Sequence, residues 1–231
     1  MLYKTRGIVL NFIKYRETSI VTRIYTEDFG VQSYIVNSVR GSNRKGKSKI
    51  SFFQPLTLLD LVVYYKKTAG LTRISDIRCA SPYQHIPYNV IKSSITLFIT
   101  EVLNKSLKEE EGNAELFAFI QQSLLVFDQM EVGFENFHLQ FMLKLSRYLG
   151  FIPQSARDFF AQVYEFVGKP TITDEEGYLL SQLLENRYTE HTIVSRTVRQ
   201  LLLDDLIKFY QLHVASFGEI KSLAVLREVL E

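Results

Sequence analysis

The hydrophobic residues of this chain change their spacing near Ser81-Pro82, and this change limits the folds that the chain can adopt. Before this point, short runs rich in Tyr, Thr, Ile and Val are separated by turn signals, which is typical of β-strands. The five predicted strands are Tyr3–Leu10, Ser19–Thr26, Val31–Val39, Leu56–Lys66 and Leu71–Ile77. We expect them to form a small closed barrel, because a barrel has no free edges and fills its own interior.

Glycine-containing segments mark the connections between these strands. Asp28-Phe29-Gly30 predicts a hairpin turn in which Gly30 has a positive φ angle. The segment Arg40–Lys49 contains two glycines, three Ser or Asn residues and five cations. Such a segment has nothing to bury, so it is predicted to be a flexible loop.

After Ser81-Pro82 the apolar residues recur at intervals of three and four, which is the period of an amphipathic helix. Thr173-Asp-Glu-Glu176 also has the spacing of a helix-starting capping box. The predicted helices cover Ile91–Leu103, Phe117–Phe127, Phe134–Tyr148, Thr173–Leu184, Val198–His213 and Lys221–Leu230. The segment Phe151–Thr173 is predicted to be irregular. The predicted fold class is α+β, with a five-stranded β-barrel domain at 1–78 and an all-helical domain at 79–231.

Positive charge is concentrated in the predicted barrel. Residues 1–78 contain 14 Lys or Arg and 5 Asp or Glu, whereas the rest of the chain contains 13 and 20. The two parts therefore carry formal charges of +9 and −7, although the whole chain carries only +2. This division predicts a polyanionic partner for the first part. A solvated basic face without a partner is the alternative that charge alone leaves open.

Residue types that carry catalysis or bind metals occur only in isolation. Four histidines lie far apart in the sequence, at His85, His138, His191 and His213. Each is interpreted as a surface or helix-face residue. The single cysteine, Cys79, excludes an internal disulfide and a cysteine-based zinc site. The adjacent acids Asp204-Asp205 and Glu109–Glu111 are interpreted as helix-surface residues that do not converge. We therefore expect no enzyme activity, no metal and no cofactor.

The chain also has no sequence signal for a membrane. No apolar run approaches the roughly 18 residues that a membrane span needs. The first ten residues contain charges and no small-residue cleavage site, so they do not predict a signal peptide. A cytoplasmic location is expected.

The predicted polyanion site consists of the cations in and beside the glycine-containing loop. Its members are Lys4, Arg6, Lys14, Arg16, Arg40, Arg44, Lys45, Lys47 and Lys49. Cations on a flexible segment can follow a phosphate backbone, and release of counterions then drives association. Small barrels also bind single strands by stacking bases on aromatic rings, and the nearby candidates are Tyr3, Phe12, Tyr15, Tyr25 and Tyr34. For each ring, a place in the barrel core is the favoured alternative. Binding is expected to tolerate any base sequence.

The order of these segments resembles the RecO family of bacterial recombination mediators. The similar residues are Gly7–Leu10, Tyr15–Ser19, Tyr25–Gly30, the basic loop after Arg40, Phe53–Leu56, Leu59–Tyr64 and Phe137–Pro153. The resemblance covers nearly the whole chain and is more specific over residues 1–78 than beyond them.

This resemblance implies an N-terminal OB-fold and a C-terminal helical domain. The implied activities are binding of single- and double-stranded DNA, annealing of complementary strands, and loading of RecA recombinase onto DNA coated by single-stranded-DNA-binding protein (SSB). The implied partners are RecR and the acidic C-terminal tail of SSB, and the chain alone is expected to be a monomer. The family's DNA-binding role carries over to Arg40, Arg44 and Lys45, whereas Lys14 and Arg16 are added on charge alone.

Two features depart from the family pattern. Many members hold zinc with four cysteines after the Leu-Gly-x-x-Pro turn, but residues 151–178 contain none. This segment is therefore expected to be held by packing of Phe159, Phe160, Tyr164 and Phe166. Ser38 stands where the family usually has glycine. For the SSB tail we predict Lys144 and Arg147 as the contact residues, with a solvated helix face as the alternative.

Two other functional classes compete with the DNA-binding mediator. One is a protein-interaction adaptor whose basic barrel docks an acidic protein, with incidental DNA binding. The other is a nuclease or transferase, which is disfavoured because no convergent acids or activated nucleophile are found. Salt dependence of binding separates the first two classes.

Overall fold

The computed structural model describes residues 1–37, 39, 49–66, 70–108, 111–167, 173–188, 190 and 192–230, without the side chains of Phe166 and Val167. Several predicted features fall outside the described residues. These are Ser38, Arg40, Arg44, Lys45, Lys47, Glu109, Glu110, His191 and the side chain of Phe166.

Five strands form a closed barrel in the order β1-β2-β3-β5-β4. They are β1 (Leu2–Tyr15), β2 (Ser19–Thr26), β3 (Gly30–Val36), β4 (Leu58–Tyr64) and β5 (Thr72–Cys79). Among the strand pairings of the described residues, only β3–β5 is parallel. The predicted five-stranded OB-fold is therefore confirmed, and Gly30 has the expected positive φ of 62°.

Strand β1 is longer than predicted because a β-bulge interrupts its alternation. Its first half pairs with β4 and its second half with β2, and the register shifts between Val9 and Asn11. A bulge bends a strand, which lets one strand serve both sides of a closing barrel. Gly7 lies in both ladders, where an added Cβ would come 2.7 Å from side-chain atoms of Ile24 and Leu61. Glycine at this position therefore leaves room for the barrel core.

The barrel interior contains two clusters of buried side chains. The larger one is formed by Val9, Ile24, Tyr34, Leu59, Leu61 and Val63. The smaller one, formed by Ile20, Val39 and Phe53, closes one end. Phe53 enters this end from a short 3₁₀ turn, Lys49–Phe53.

Helices follow the barrel in the described part of the chain. They are α1 (Val90–Ser106), α2 (Ala114–Gln129), α3 (Phe137–Tyr148), α4 (Ala156–Val167), α5 (Asp174–Glu185), α6 (Arg196–His213) and α7 (Leu223–Val229). The chain divides into two compact units: a barrel unit of residues 1–84 and 100–124, and a helical unit of residues 85–99 and 125–231. The division at residue 78 inferred from the sequence stays a prediction. No helix in the described ranges is both long enough and apolar enough to cross a membrane.

The prediction of irregular structure over Phe151–Thr173 is wrong for residues 156–167, because these residues form α4. Pro153 precedes this helix and does not interrupt it. Phe159 and Phe160 are fully buried, and Phe159 lies 4.8 Å from the ring of Phe209 on α6. The expectation that packing holds this segment is confirmed for these two rings.

The capping box at the start of α5 is confirmed. The Thr173 hydroxyl accepts a hydrogen bond from the Glu176 amide, and the Glu176 carboxylate accepts one from the Thr173 amide. Each partner satisfies a backbone donor that the first helical turn leaves open.

Two polar residues are buried in the helical unit: His138, which was interpreted as a surface or helix-face residue, and Asp205, which was interpreted as a helix-surface residue. His138 is fully buried beside Phe98, and burial lowers its pKa to about 3. Asp205 is also buried, and its carboxylate accepts hydrogen bonds from Tyr164 and Lys208. Both corrections have the same reason: the helix periodicity does not show that several other helices cover α3 and α6.

Candidate nucleic-acid interface

The β1–β2 turn presents two of the predicted DNA-binding cations. Lys14 pairs with Ile20 and Tyr15 with Ser19, so Arg16 is the first residue beyond the ladder. Lys14 and Arg16 are exposed, and the Arg16 guanidinium lies 5.3 Å from the centre of the Tyr15 ring. Arg16 also has a φ of 53°, an uncommon conformation for a residue other than glycine. The turn thus exposes two cations beside one aromatic ring.

The chain on both sides of residues 40–48 is anchored at this same end of the barrel. The Val39 amide donates a hydrogen bond to the Thr18 carbonyl over 2.9 Å, and the Ser19 hydroxyl bonds to Asn37. Val39 and Phe53 are both fully buried in the smaller core cluster. Exposed Lys49 begins the 3₁₀ turn that contains Phe53. We call this end, defined by residues 14–18, 37, 39 and 49–53, the turn end.

An apolar row crosses the outer surface of the barrel next to the turn end. The strand registers join Ile13 to Val21, Val21 to Ile35, and Ile35 to Arg73. Ile13 is 64% exposed, Val21 and Ile35 are half-buried, and Arg73 is exposed. The row therefore combines apolar surface, on which bases can rest, with a cation at its end. Sequence reasoning missed Ile13 and Arg73, since only the parallel β3–β5 pairing brings Arg73 into this row.

Lys4 and Arg6 lie in a different environment, on the half of β1 that pairs with β4. They line a surface cleft of about 470 Å³ together with Arg78 and four carboxylates: Glu27, Asp28, Asp60 and Asp76. Three cations and four carboxylates leave this cleft without an excess of positive charge. Lys4 and Lys14 are also separated by ten residues, roughly 33 Å along a straight strand. The structure does not bring the predicted cations on β1 together.

Arg6 is held by partners within the barrel unit. Its guanidinium donates two hydrogen bonds to Glu27, over 2.6 and 2.5 Å, and one to Gln121 over 2.8 Å. It also lies 5.1 Å from the centre of the Phe117 ring. The bonds to Glu27 raise the pKa of Arg6 and lower that of Glu27. Arg6 thus joins β1 to the segment 100–124, and Glu27 offsets its charge.

Arg23 has a comparable structural role that the sequence did not reveal. Its guanidinium donates hydrogen bonds to the Asn104 and Leu107 carbonyls at the end of α1, over 3.2 and 2.9 Å. Cations at this position satisfy carbonyls that a helix leaves without partners. Burial lowers the pKa of Arg23. No local sequence signal identifies this contact, because its partners lie more than 80 residues away.

The five candidate stacking rings divide into buried and exposed groups. Tyr25 and Tyr34 are only 3% and 1% exposed, so both are core residues, as the favoured alternative proposed. Phe12 is half-buried against the smaller core cluster. Tyr3 and Tyr15 are 38% and 37% exposed. Of these two, Tyr15 lies at the turn end, whereas Tyr3 lies beside the rings of Phe29 and Tyr65.

Lys144 and Arg147, predicted to contact the SSB tail, lie one turn apart on α3 of the helical unit. Arg147 is exposed. Lys144 is half-buried, with its ammonium group 5.7 Å from the centre of the Tyr188 ring. Burial lowers the pKa of Lys144, Arg147 lowers it further, and Glu190 acts in the opposite direction. Their role in binding the SSB tail stays a prediction.

The segment 151–178, where the resemblance implies a zinc site in many family members, does not fit that metal. Residues 151–178 contain no cysteine, and the side chains of Phe159 and Phe160 in this segment are fully buried. Among the described residues, no three His, Cys, Asp or Glu side chains come close enough to hold any metal ion. Cys79, in β5, is a free thiol.

Comparison with known proteins decides the family. The model for "Recombination protein O N terminal" matches residues 1–83, and the model for "Recombination protein O C terminal" matches residues 88–224. The chain belongs to the RecO family of DNA repair proteins. It is 37% identical to the DNA repair protein RecO of Bacteroides fragilis, with 100% of both chains covered. It is 35% identical to that of Flavobacterium psychrophilum over 99% of both, and 25% identical to that of Porphyromonas gingivalis over 100% of both. The resemblance inferred from the sequence is confirmed.

Proposed function

We propose that this chain is a DNA-binding recombination mediator that anneals complementary single strands and, with RecR, helps load RecA onto SSB-coated DNA. The DNA would follow the turn end and the apolar row. The observation that carries this proposal is the group of exposed cations at one end of the barrel, Lys14, Arg16 and Lys49, beside the apolar row that ends in Arg73. This combination suits a single strand, because cations meet phosphates while apolar and aromatic surface meets bases.

The basic segment 40–48 supports the proposal because the residues that precede and follow it in the chain, Val39 and Lys49, belong to the turn end. Arg40, Arg44, Lys45 and Lys47 belong to this segment in the sequence and lie outside the described residues. Of the predicted DNA-binding cations that the structure describes, Lys14, Arg16 and Lys49 belong to the turn end, whereas Lys4 and Arg6 belong to the mixed-charge cleft.

Salt titration of binding to an oligonucleotide tests this interface. We expect a log–log slope of about −0.7 per phosphate neutralised on a single strand. The double variant Lys14→Glu/Arg16→Glu should make the slope shallower by about 1.4 and weaken binding about tenfold or more at low salt. The matched control Lys4→Glu/Arg78→Glu reverses the same number of charges in the cleft and should have a smaller effect. Equal losses in both variants would extend the interface to the cleft and contradict a site restricted to the turn end.

Strand annealing is tested separately from binding. Charge reversal at Arg40, Arg44, Lys45, Lys47 and Lys49 should abolish annealing of complementary oligonucleotides without unfolding the protein, because solvated side chains contribute little to stability. Annealing should proceed without added metal or ATP, as expected for a protein that catalyses no reaction. A strict requirement for either would overturn that part of the proposal.

The proposed protein partners are RecR and the acidic C-terminal tail of SSB. A labelled tail peptide should bind the full chain, and Lys144→Glu/Arg147→Glu should reduce its affinity. The control Arg157→Glu changes another exposed cation, on α4, and should have no effect. If the double variant binds the tail peptide with unchanged affinity, Lys144 and Arg147 on α3 are not the binding site of the tail.

The protein-interaction adaptor remains a second candidate because Ile13, 64% exposed, also suits an apolar side chain of an acidic peptide. Flat salt dependence, or no DNA binding at low salt, would favour this alternative.

A further inference from the structure

The apolar row continues beyond Arg73 on the outer surface of the barrel. Val63 pairs with Ile74 in the antiparallel β4–β5 ladder. The next residue of each strand extends this ladder, so Tyr64 lies opposite Arg73. Tyr64 also pairs with Leu2 at the start of β1. We call the apolar row together with these two residues the extended row: Ile13, Val21, Ile35, Arg73, Tyr64 and Leu2.

The extended row runs once around the barrel. It follows the strand order β1-β2-β3-β5-β4 and returns to β1. Strands of a closed barrel are staggered, so a path across them returns to its first strand at another height. Ile13 and Leu2 are accordingly roughly 36 Å apart along a straight strand. With about 4.8 Å between neighbouring strands, the extended row is roughly 24 Å long, compared with roughly 14 Å for the apolar row.

The two added side chains lie on the outer surface. Tyr64 is 49% exposed and Leu2 is 53% exposed, whereas Val63 is buried in the barrel core. Successive residues of a strand point to opposite faces, so the Tyr64 ring faces outward. This ring is more exposed than that of Tyr3 or Tyr15. The extended row therefore provides an aromatic platform on β4 that the apolar row lacks.

One side of the extended row is closed by the segment 100–124 of the same unit. The next outward-facing residues on this side are Asn11 on β1 and Arg23 on β2. The Asn11 amide donates a hydrogen bond to Asn104, and Arg23 donates one to the Leu107 carbonyl. A ligand that lies on β1 and β2 therefore cannot spread in this direction.

The other side of the extended row changes its charge along the path. Next to Ile13 lies the turn end, whose exposed cations attract phosphates. Next to Tyr64 and Leu2 lies the mixed-charge cleft, in which four carboxylates outnumber three cations. A phosphate backbone is therefore favoured along the extended row and disfavoured in the cleft. Two exposed cations can meet it there, Arg73 in the row and Lys66, which follows Tyr64 by two residues.

We infer that one DNA single strand wraps around the barrel along the extended row, with a base stacked on the Tyr64 ring and phosphates near Arg73 and Lys66. This inference rests on the proposed function and adds a second contact region, on β4 and β5, to the turn end. The path requires a backbone that bends sharply around a small barrel. Duplex DNA is stiff over about 50 nm, so only a single strand can follow the whole path.

Oligonucleotide length tests this path. Tyr64→Ala should weaken binding of a strand of about 16 nucleotides by about fivefold or more, because one base–ring stack is lost. A strand of about 4 nucleotides, held by the cations of the turn end, should bind the variant and the wild type equally. The matched control Tyr88→Ala removes a ring that is 86% exposed in the helical unit and should change neither affinity.

Tryptophan fluorescence provides a second readout, because the chain contains no tryptophan. Tyr64→Trp keeps an aromatic ring at this position, so it should retain the affinity for the long strand, and its fluorescence should be quenched when that strand binds. Tyr88→Trp should not be quenched. A duplex of the same length should quench Tyr64→Trp less than the single strand does, and equal quenching would contradict the wrapped path.

The outcomes separate this inference from the proposed function. If Lys14→Glu/Arg16→Glu weakens binding of both strands while Tyr64→Ala binds the long strand like the wild type, the extended path is wrong and the turn end remains the interface. Unquenched fluorescence of Tyr64→Trp on binding would overturn the path in the same way and leave this surface for contact with a protein. If no single strand binds the wild type at low salt, the proposed function itself fails.

Discussion

The barrel unit and the helical unit differ in where they keep their ionisable groups. In the barrel unit, Arg6 and Arg23 use hydrogen bonds to attach the segment 100–124, and Lys14 and Arg16 remain exposed. In the helical unit, ionisable side chains lie inside the core, including His138, Asp205 and Lys92. We therefore expect the salt concentration to control DNA binding by the barrel unit and the pH to control the stability of the helical unit.

Lys92 is expected to produce the largest effect on stability. Its ammonium group donates hydrogen bonds to the Asp128 and Met130 carbonyls at the end of α2, over 2.8 and 2.6 Å, and lies near the rings of Phe127 and Phe134. Lys92→Ala should lower the free energy of unfolding by about 3 kcal/mol, because it leaves two carbonyls unsatisfied and opens a cavity. Chemical denaturation measures this loss. Arg157→Ala, at an exposed position, should change stability by less than about 0.5 kcal/mol.

The pH dependence of the helical unit should be the next largest effect. Burial lowers the pKa of His138 from 6.5 to about 3, so the unfolded chain binds the proton more readily than the folded chain does. Stability is therefore fully present above pH 6.5 and is lost as the pH falls, by about 2 kcal/mol between pH 7 and pH 5. Denaturation of the wild type and of His138→Leu at both pH values isolates this contribution. A wild type that loses no more than the variant would contradict it.

Two glycine substitutions test the close contact between Gly112 and Asp28 in the barrel unit. A Cβ at Gly112 would come within 2.5 Å of backbone atoms of Asp28, whereas a Cβ at Gly70 would meet nothing within 4 Å. Gly112→Ala should lower stability by about 1–3 kcal/mol, since backbone atoms cannot move aside easily. Gly70→Ala should be neutral or slightly stabilising. Similar denaturation curves for both variants would show that the β2–β3 turn adapts.

The smallest effect is expected at Arg16, where stability and binding should change in opposite directions. The φ of 53° disfavours any residue with a Cβ, so Arg16→Gly should stabilise the protein by up to about 1 kcal/mol. The same change removes one cation, so the salt dependence of DNA binding should become shallower by about 0.7. Arg16→Ala removes the cation without relieving the backbone and is the matched control. Equal stability of Arg16→Gly and Arg16→Ala would contradict the expectation that the backbone conformation of Arg16 lowers the stability of the protein.

Much of the fold could be predicted because its signals are local. Strand alternation, Gly30 and the capping box at Thr173 each depend on residues that are near neighbours in the chain. The helix over residues 156–167 was not predicted, because Pro153, Gly168 and Pro170 were interpreted as helix breakers. Pro153 in fact precedes the first turn of the helix. The burial of His138 was missed because the pattern of one helix does not show how many neighbours cover it.

The candidate site was less predictable, as β1 illustrates. Under strict alternation, Lys4, Arg6 and Lys14 would share one face of the strand. The bulge between Val9 and Asn11 reverses which residues of β1 face outward. Lys4 therefore pairs with Val62 on the outer surface, whereas Lys14 pairs with the core residue Ile20 at the barrel end. A bulge has no reliable sequence signal, and one extra residue moves every later side chain to the opposite face.

A basic barrel followed by an acidic helical region could be predicted from the sequence, because periodicity and net charge are properties of neighbouring residues. Which cations remain available for binding depends on the contacts that form when the chain folds. Arg6 is paired by Glu27, and Arg23 by carbonyls more than 80 residues away, while Lys14 and Arg16 stay exposed. Burial and ion pairing depend on side chains that folding brings together from distant parts of the sequence. Burial and pairing in turn determine how strongly each cation can attract a binding partner.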